Sequence, residues 1–117
     1  MNHNLTLQEA LCSVRTPFYL YDLALLEKTI NTVKEAIKGH DNFCVHYAVK
    51  ANSNAEVLRI MADAGVGADT VSGGEVSAAL DAGVSPKDIL LAGVGKTDEE
   101  ISQAINLSID SINVESE

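Results

Sequence analysis

The stretch DAGVGADTVSGGEVSAALDAGV, Asp63 to Val84, holds the pattern that decides the fold. Its opening phrase, Asp63-Ala64-Gly65-Val66, returns at its close as Asp81-Ala82-Gly83-Val84. Each copy stands where a helical segment hands over to the next strand. A glycine there ends a helix, because it enters the left-handed conformation without a steric penalty. Between the two copies, Gly67-Ala68-Asp69-Thr70-Val71 reads as a short strand and Glu75 to Ala82 as a helix.

The same rhythm extends outward. Downstream, Ile89-Leu90-Leu91-Ala92 is a strand and Thr97 opens a helix, with Glu100 placed to complete a capping box. Ser111-Ile112-Asn113-Val114 is the last strand. Upstream, Ala55 to Ala64 is a helix with Val57, Leu58, Ile60 and Met61 apolar, and Phe43 to Val49 is a strand. Before it, Asp22 caps a helix whose stripe is Leu23, Leu26, Ile30, Val33 and Ile37, stopped by Gly39. Phe18-Tyr19-Leu20-Tyr21, after Pro17, reads as a strand of its own.

Strand centres near Val45, Asp69, Leu90 and Ile112 recur roughly every 21 to 24 residues. Strands alternating with helices at this spacing imply parallel βαβ units. Two α/β architectures fit, a (β/α)8 TIM barrel and an open doubly wound sheet. The strands seen are half of such a barrel, which takes about 250 residues. The chain stops at Glu115-Ser116-Glu117, with no helix to cover the last strand. The expectation is a truncated piece, or a half that completes itself by oligomerising.

The 117 residues suit one domain, and 46% are apolar, enough for a packed core. A formal net charge of −9 argues against nucleic acid and against anionic membrane as partners. Cys12 and Cys44 form no CxxC pair and read as reduced thiols, with Cys44 a small buried hydrophobe. Met1 to Thr6 carries no apolar run of a signal peptide, and no segment approaches the roughly 20 apolar residues of a membrane helix. The expected location is the cytoplasm.

In parallel α/β folds, ligands gather at the carboxyl ends of the strands. Those ends carry Lys50-Ala51-Asn52-Ser53-Asn54, then Asp69 with Ser72-Gly73-Gly74-Glu75, then Gly93-Val94-Gly95-Lys96, then Glu115 and Ser116. Lys50 ends an apolar run. A lysine desolvated there has a lowered pKa and forms Schiff bases readily, whereas one that snorkels outward does neither. Ser72 to Glu75 suits either an anion or a plain helix cap. Gly93 to Lys96 lacks the spacing of a phosphate loop. His3, His40 and His46 have no metal-ligand spacing, and His46 reads as structural.

Together these motifs resemble one family. Tyr47-Ala48-Val49-Lys50-Ala51-Asn52 resembles the cofactor-lysine motif of fold-type III enzymes that use pyridoxal 5'-phosphate (PLP). Gly67 to Glu75, Ala92 to Ile101, Thr16 to Asp22 and Asn113 to Glu117 resemble matching segments of the diaminopimelate decarboxylases. The resemblance runs from about Thr16 to the end. It implies the first four βα units of a PLP-binding (β/α)8 barrel over residues 23–117. Residues 1–22 would be an N-terminal segment whose strand joins a separate β-domain.

It implies Lys50 as the catalytic residue that holds PLP as a Schiff base. Asp69 and Glu75 would be cofactor-binding carboxylates, and Ser72 a site-proximal serine. The substrate would be a small amino acid, meso-diaminopimelate, decarboxylated to L-lysine by a homodimer. Lys96 and Glu115 receive no role. The family's phosphate-binding glycine loop, ring-stacking histidine, pyridine-pairing glutamate and partner-subunit cysteine would all lie beyond Glu117. The expectation is therefore a chain that alone binds PLP poorly and turns over no substrate. The competing readings are another PLP-dependent amino-acid decarboxylase, a racemase, or a non-catalytic PLP-binding protein or half-barrel assembly module.

Overall fold

The structure, a computed structural model, describes residues 6–116. Its elements are α1 (Leu7–Ser13), α2 (Leu23–Ala36), β1 (His46–Ala48), α3 (Ala55–Asp63), β2 (Gly67–Thr70), α4 (Gly73–Asp81), β3 (Ile89–Leu91), α5 (Asp98–Leu107) and β4 (Ser111–Ile112). Single 3-10 turns follow β1, at Val49–Ala51, and precede β3, at Pro86–Asp88.

The strands form one parallel four-stranded sheet in the order β1-β2-β3-β4. Chain order equals spatial order, so the sheet never reverses direction. A doubly wound sheet reverses at its switch point and carries helices on both faces. Here α3, α4 and α5 all cover one face. Leu58, Val76, Ala79 and Ala104 from these helices share a buried cluster with Ala68, Ile89 and Leu91 of the strands. This is the winding of a (β/α)8 barrel and excludes the doubly wound alternative. A second cluster joins α2 to α3 through Ile30, Val57 and Met61, with Val66 entering β2.

The repeated phrase does the same job twice. At the end of α3 the Gly65 N–H donates to the Ala62 carbonyl (2.8 Å) and Val66 N–H to the Met61 carbonyl (2.9 Å). At the end of α4, Gly83 donates to Leu80 (2.9 Å) and Val84 to Ala79 (3.0 Å). With φ of +70° and +100°, Gly65 and Gly83 take the left-handed geometry that this closure needs. A third copy closes α5 with a different residue: Ser108 takes φ of 53°, and Ile109 N–H donates to Ala104 (3.3 Å). Serine there conceals the motif from a search for glycine.

The start signals hold. The Asp22 carboxylate accepts from Leu25 N–H (2.9 Å), and Thr97 and Glu100 form the expected capping box. Two expectations fail, and one helix was not foreseen. Phe18–Tyr21 is not a strand; it pairs with no described strand, and Tyr19 is 90% exposed. A strand exists only where another strand satisfies its ladder, however suitable its side chains. Leu7–Ser13 is instead a helix, opened by a capping box between Thr6 and Glu9. Cys44 is exposed rather than buried, because β1 begins at His46 and leaves residues 43–45 in the approach to it.

Candidate active site

Pairing register divides the side chains between two faces. Tyr47, Ala68 and Ile89 stand in one row, and Thr70, Leu91 and Ile112 in another. Both rows face the helices; Thr70 is fully buried, and its hydroxyl donates to the Leu90 carbonyl (2.7 Å). The intervening row, Ala48–Asp69–Leu90–Ser111, lies on the face opposite α3, α4 and α5. His46 is half-buried on this face too. A Cβ added to its register partner Gly67 would lie 2.5 Å from the His46 ring, so the histidine packs where only glycine leaves room.

Lys50 follows from this division. At the end of β1 the chain tightens into its 3-10 turn, which buries Val49 completely in the helix-side core and leaves Lys50 exposed. The turn is braced by Tyr47, whose hydroxyl donates to the Asn52 carbonyl (3.2 Å). Burial, and secondarily Tyr21, push the Tyr47 phenol above its ordinary value, so it remains a donor at neutral pH. The expected desolvation of Lys50 is absent: the side chain is exposed. Among the described residues its amine has no hydrogen bond and no ion pair. Asp69, half-buried in the row beside Ala48, likewise has no hydrogen-bonded or ion-paired partner among them.

Ser72 and Glu75 come together, but as a helix cap. The Ser72 hydroxyl accepts from Glu75 N–H (3.2 Å), while the Glu75 carboxylate accepts from Val71 N–H (2.9 Å). The next amide, Gly73 N–H, donates to the Glu100 carboxylate (2.8 Å). Ser72 thus caps α4, with the Gly73 and Glu75 amides on internal acceptors and the Ser72 and Gly74 amides without one among the described residues.

Glu100 was legible in sequence only as a capping residue of α5. Its second oxygen does accept from Thr97 N–H (3.0 Å), but its reach to Gly73 also ties the start of α5 to the start of α4. A Cβ on Gly73 would meet the Gln103 side chain at 2.7 Å, which keeps the two helix starts in close approach. The Thr97 and Gly73 amides hold the Glu100 carboxyl below its ordinary value of 4.5. A depressed carboxylate stabilises the fold above its unfolded pKa, and that contribution fades as pH falls through the folded pKa. Glu100→Gln is therefore expected to lower stability near neutral pH, with the gap to wild type closing below about pH 4. Urea denaturation at both ends of that range checks it; a gap constant with pH would contradict this origin.

The rim's other lysine is engaged. The Lys96 ammonium donates to the Gly93 carbonyl and pairs with Glu115 at 3.5 Å. The Lys96 side chain is only 11% exposed. Of the two lysines at the carboxyl ends of the strands, Lys50 alone has an uncommitted amine.

Residues 23–117 match the family described as pyridoxal-dependent decarboxylase, pyridoxal binding domain. The chain belongs to this family. It is 45% identical over 104 residues to the diaminopimelate decarboxylase of Bacteroides thetaiotaomicron, covering 89% of this chain and 27% of that protein. Against the diaminopimelate decarboxylase of Helicobacter pylori strain J99 it is 46% identical over 109 residues, or 93% of this chain and 27% of that one. The crystal structure of the Helicobacter pylori diaminopimelate decarboxylase complexed with L-lysine superposes with a TM-score of 0.88 at 44% identity, over 95% of this chain and 28% of that one. The chain thus spans about a quarter of the length of the relatives it matches.

The family's cofactor is PLP. The donor chemistry fits at the aldehyde end of that molecule: imine formation needs a primary amine, and Lys50 supplies one that is exposed and uncommitted among the described residues.

Proposed function

We propose that this chain is the cofactor-lysine half of a PLP-dependent barrel that decarboxylates meso-diaminopimelate to L-lysine. One observation carries the reading: the exposed amine of Lys50, uncommitted among the described residues, stands in the turn that ends β1, the strand paired with Asp69's, in a sequence 45% identical to a diaminopimelate decarboxylase. When bound, the cofactor ring supplies an electron sink for the pair released at the substrate α-carbon.

The chain's own residues act around that chemistry. When the cofactor is bound, the Lys50 amine would be the group that holds its aldehyde end, and the one that an amino-acid substrate replaces. The Asp69 carboxylate, one strand over and without a partner among the described residues, would accept a hydrogen bond from a donor of the bound cofactor or substrate. Ser72 and Glu75 serve cofactor binding by fixing the Val71–Gly73 backbone rather than by donating their own polar atoms. Tyr47 fixes the turn from which Lys50 projects. Shielding of Lys50 from water falls to parts of the barrel outside the described residues.

The reading carries a homodimeric, cytoplasmic enzyme with a domain boundary near Leu23, where the family match begins. Borohydride reduction of a protein of full family length carrying this sequence, incubated with PLP, tests it. A pyridoxyl adduct on the peptide containing Lys50, with carbon dioxide released from meso-diaminopimelate, is expected. An adduct without carbon dioxide release would favour a PLP-binding protein; an adduct elsewhere would remove the assignment.

A further inference from the structure

We infer that Lys96 is a positioning residue that locks the loops after β2, β3 and β4 into one rim, and that cofactor affinity depends on this lock. The inference rests on the PLP reading above.

The links run in sequence around the rim. The Glu75 carboxylate holds Val71 N–H at 2.9 Å. Gly93 packs on the same residue: a Cβ there would lie 3.5 Å from the Val71 carbonyl, and its φ of +100° is left-handed, which favours glycine. The Gly93 carbonyl accepts from Lys96, and Lys96 reaches Glu115, past the end of β4. Thr97, the next residue, caps α5 and shares Glu100 with Gly73, which returns the chain of contacts to the loop after β2. Lys96 is the member that joins β3's loop to β4's.

Its burial makes the join matter. A lysine whose side chain is only 11% exposed keeps few water partners for its charge and needs acceptors in place of them. Here they come from a backbone carbonyl and a carboxylate on different strands, so the charge is satisfied only when the two loops stand in register. An exposed surface pair would impose no such condition. Glu115, 49% exposed, is the looser partner, so the lysine is the residue to test first.

The test uses a protein of full family length carrying this sequence, with cofactor affinity read from the visible absorbance of the lysine-bound cofactor and apo stability read by thermal melting. K96M is expected to weaken PLP binding about tenfold, since small displacements of a site from outside the chemistry have effects of this size or larger. K96R should recover to within about threefold, and K96M/E115Q should be no worse than K96M, because the two residues act as one unit. E115Q alone, which leaves the Gly93 contact intact, should bind a few-fold more weakly than wild type and serves if K96M does not fold. Wild-type affinity in K96M, equal defects in K96M and K96R, multiplied losses in the double variant, or wild-type affinity in E115Q would each overturn the inference. Absence of a Lys50 adduct in the wild-type protein would instead remove the PLP reading on which it stands.

Discussion

Lys50→Ala, in a protein of full family length carrying this sequence, is expected to abolish the borohydride-reducible PLP adduct and to lower kcat by about a thousandfold or more. The size follows from the job given to the amine. A covalent partner splits one difficult step into easier ones, and its removal cannot be offset by adjusting the groups around it. The neighbouring cations offer no substitute. Lys96 is held by Gly93 and Glu115, Lys34 by the Ala64 carbonyl and Lys38 by Glu35. Lys87 lies in the 3-10 turn that enters β3, at the opposite end of the sheet from Lys50. Lys50→Arg should be as inactive as the alanine variant, since arginine keeps the positive charge but is not deprotonated in proteins. Added small primary amines should restore part of the rate to Lys50→Ala and none to a variant whose fold is lost. Mass spectrometry of the reduced digest and stopped-time carbon dioxide assays read both outcomes. An adduct that persists on another lysine would show that the amine at position 50 is not the one that reacts.

Local signals that depend on backbone chemistry were legible in the sequence. Asp22, Thr97, Gly65 and Gly83 act where they stand, because a cap or a left-handed closure involves only the nearest turn. The alternation of parallel strands and helices was legible as well, but not the strand order, since the spacing fitted both a barrel and a doubly wound sheet. Whatever depended on a distant partner was not. Phe18–Tyr21 has strand-forming side chains and no strand beside it. Cys44 looked buried because it adjoins an apolar run, yet the ladder starts two residues later. Lys50 looked desolvated because Val49 is, but a single 3-10 turn separates the two environments. Glu100 announced its bond to Thr97, three residues away, and not its bond to Gly73, 27 residues away. Ser72 and Glu75 were expected as site residues through resemblance, while their observed geometry is that of a helix cap.

Leu91→Ala is expected to cost about 3 kcal/mol of folding stability, the largest effect of any single truncation in the sheet. Leu91 is fully buried, and its strand is paired on both sides, through Thr70 on β2 and Ile112 on β4. A strand held by two ladders cannot shift to fill the space its side chain leaves, so the transfer loss and the cavity both count. Leu90→Ala removes the same atoms from the next residue, but on the half-buried face without helices, and should cost about 1 kcal/mol. The contrast tests the division of faces directly, since a sheet turned the other way would reverse the order of the two variants. Urea denaturation of both variants against wild type, with unchanged m-values, measures it. Leu91 also ends the strand from which the Gly93–Lys96 loop departs. Loosening it should therefore weaken PLP binding along with stability, whereas Leu90→Ala, if it acts on the site at all, acts through the open face beside Asp69. Equal losses of stability in the two variants would mean that the helices do not define the buried side of this sheet, and the placement of Asp69 on the opposite face would go with it.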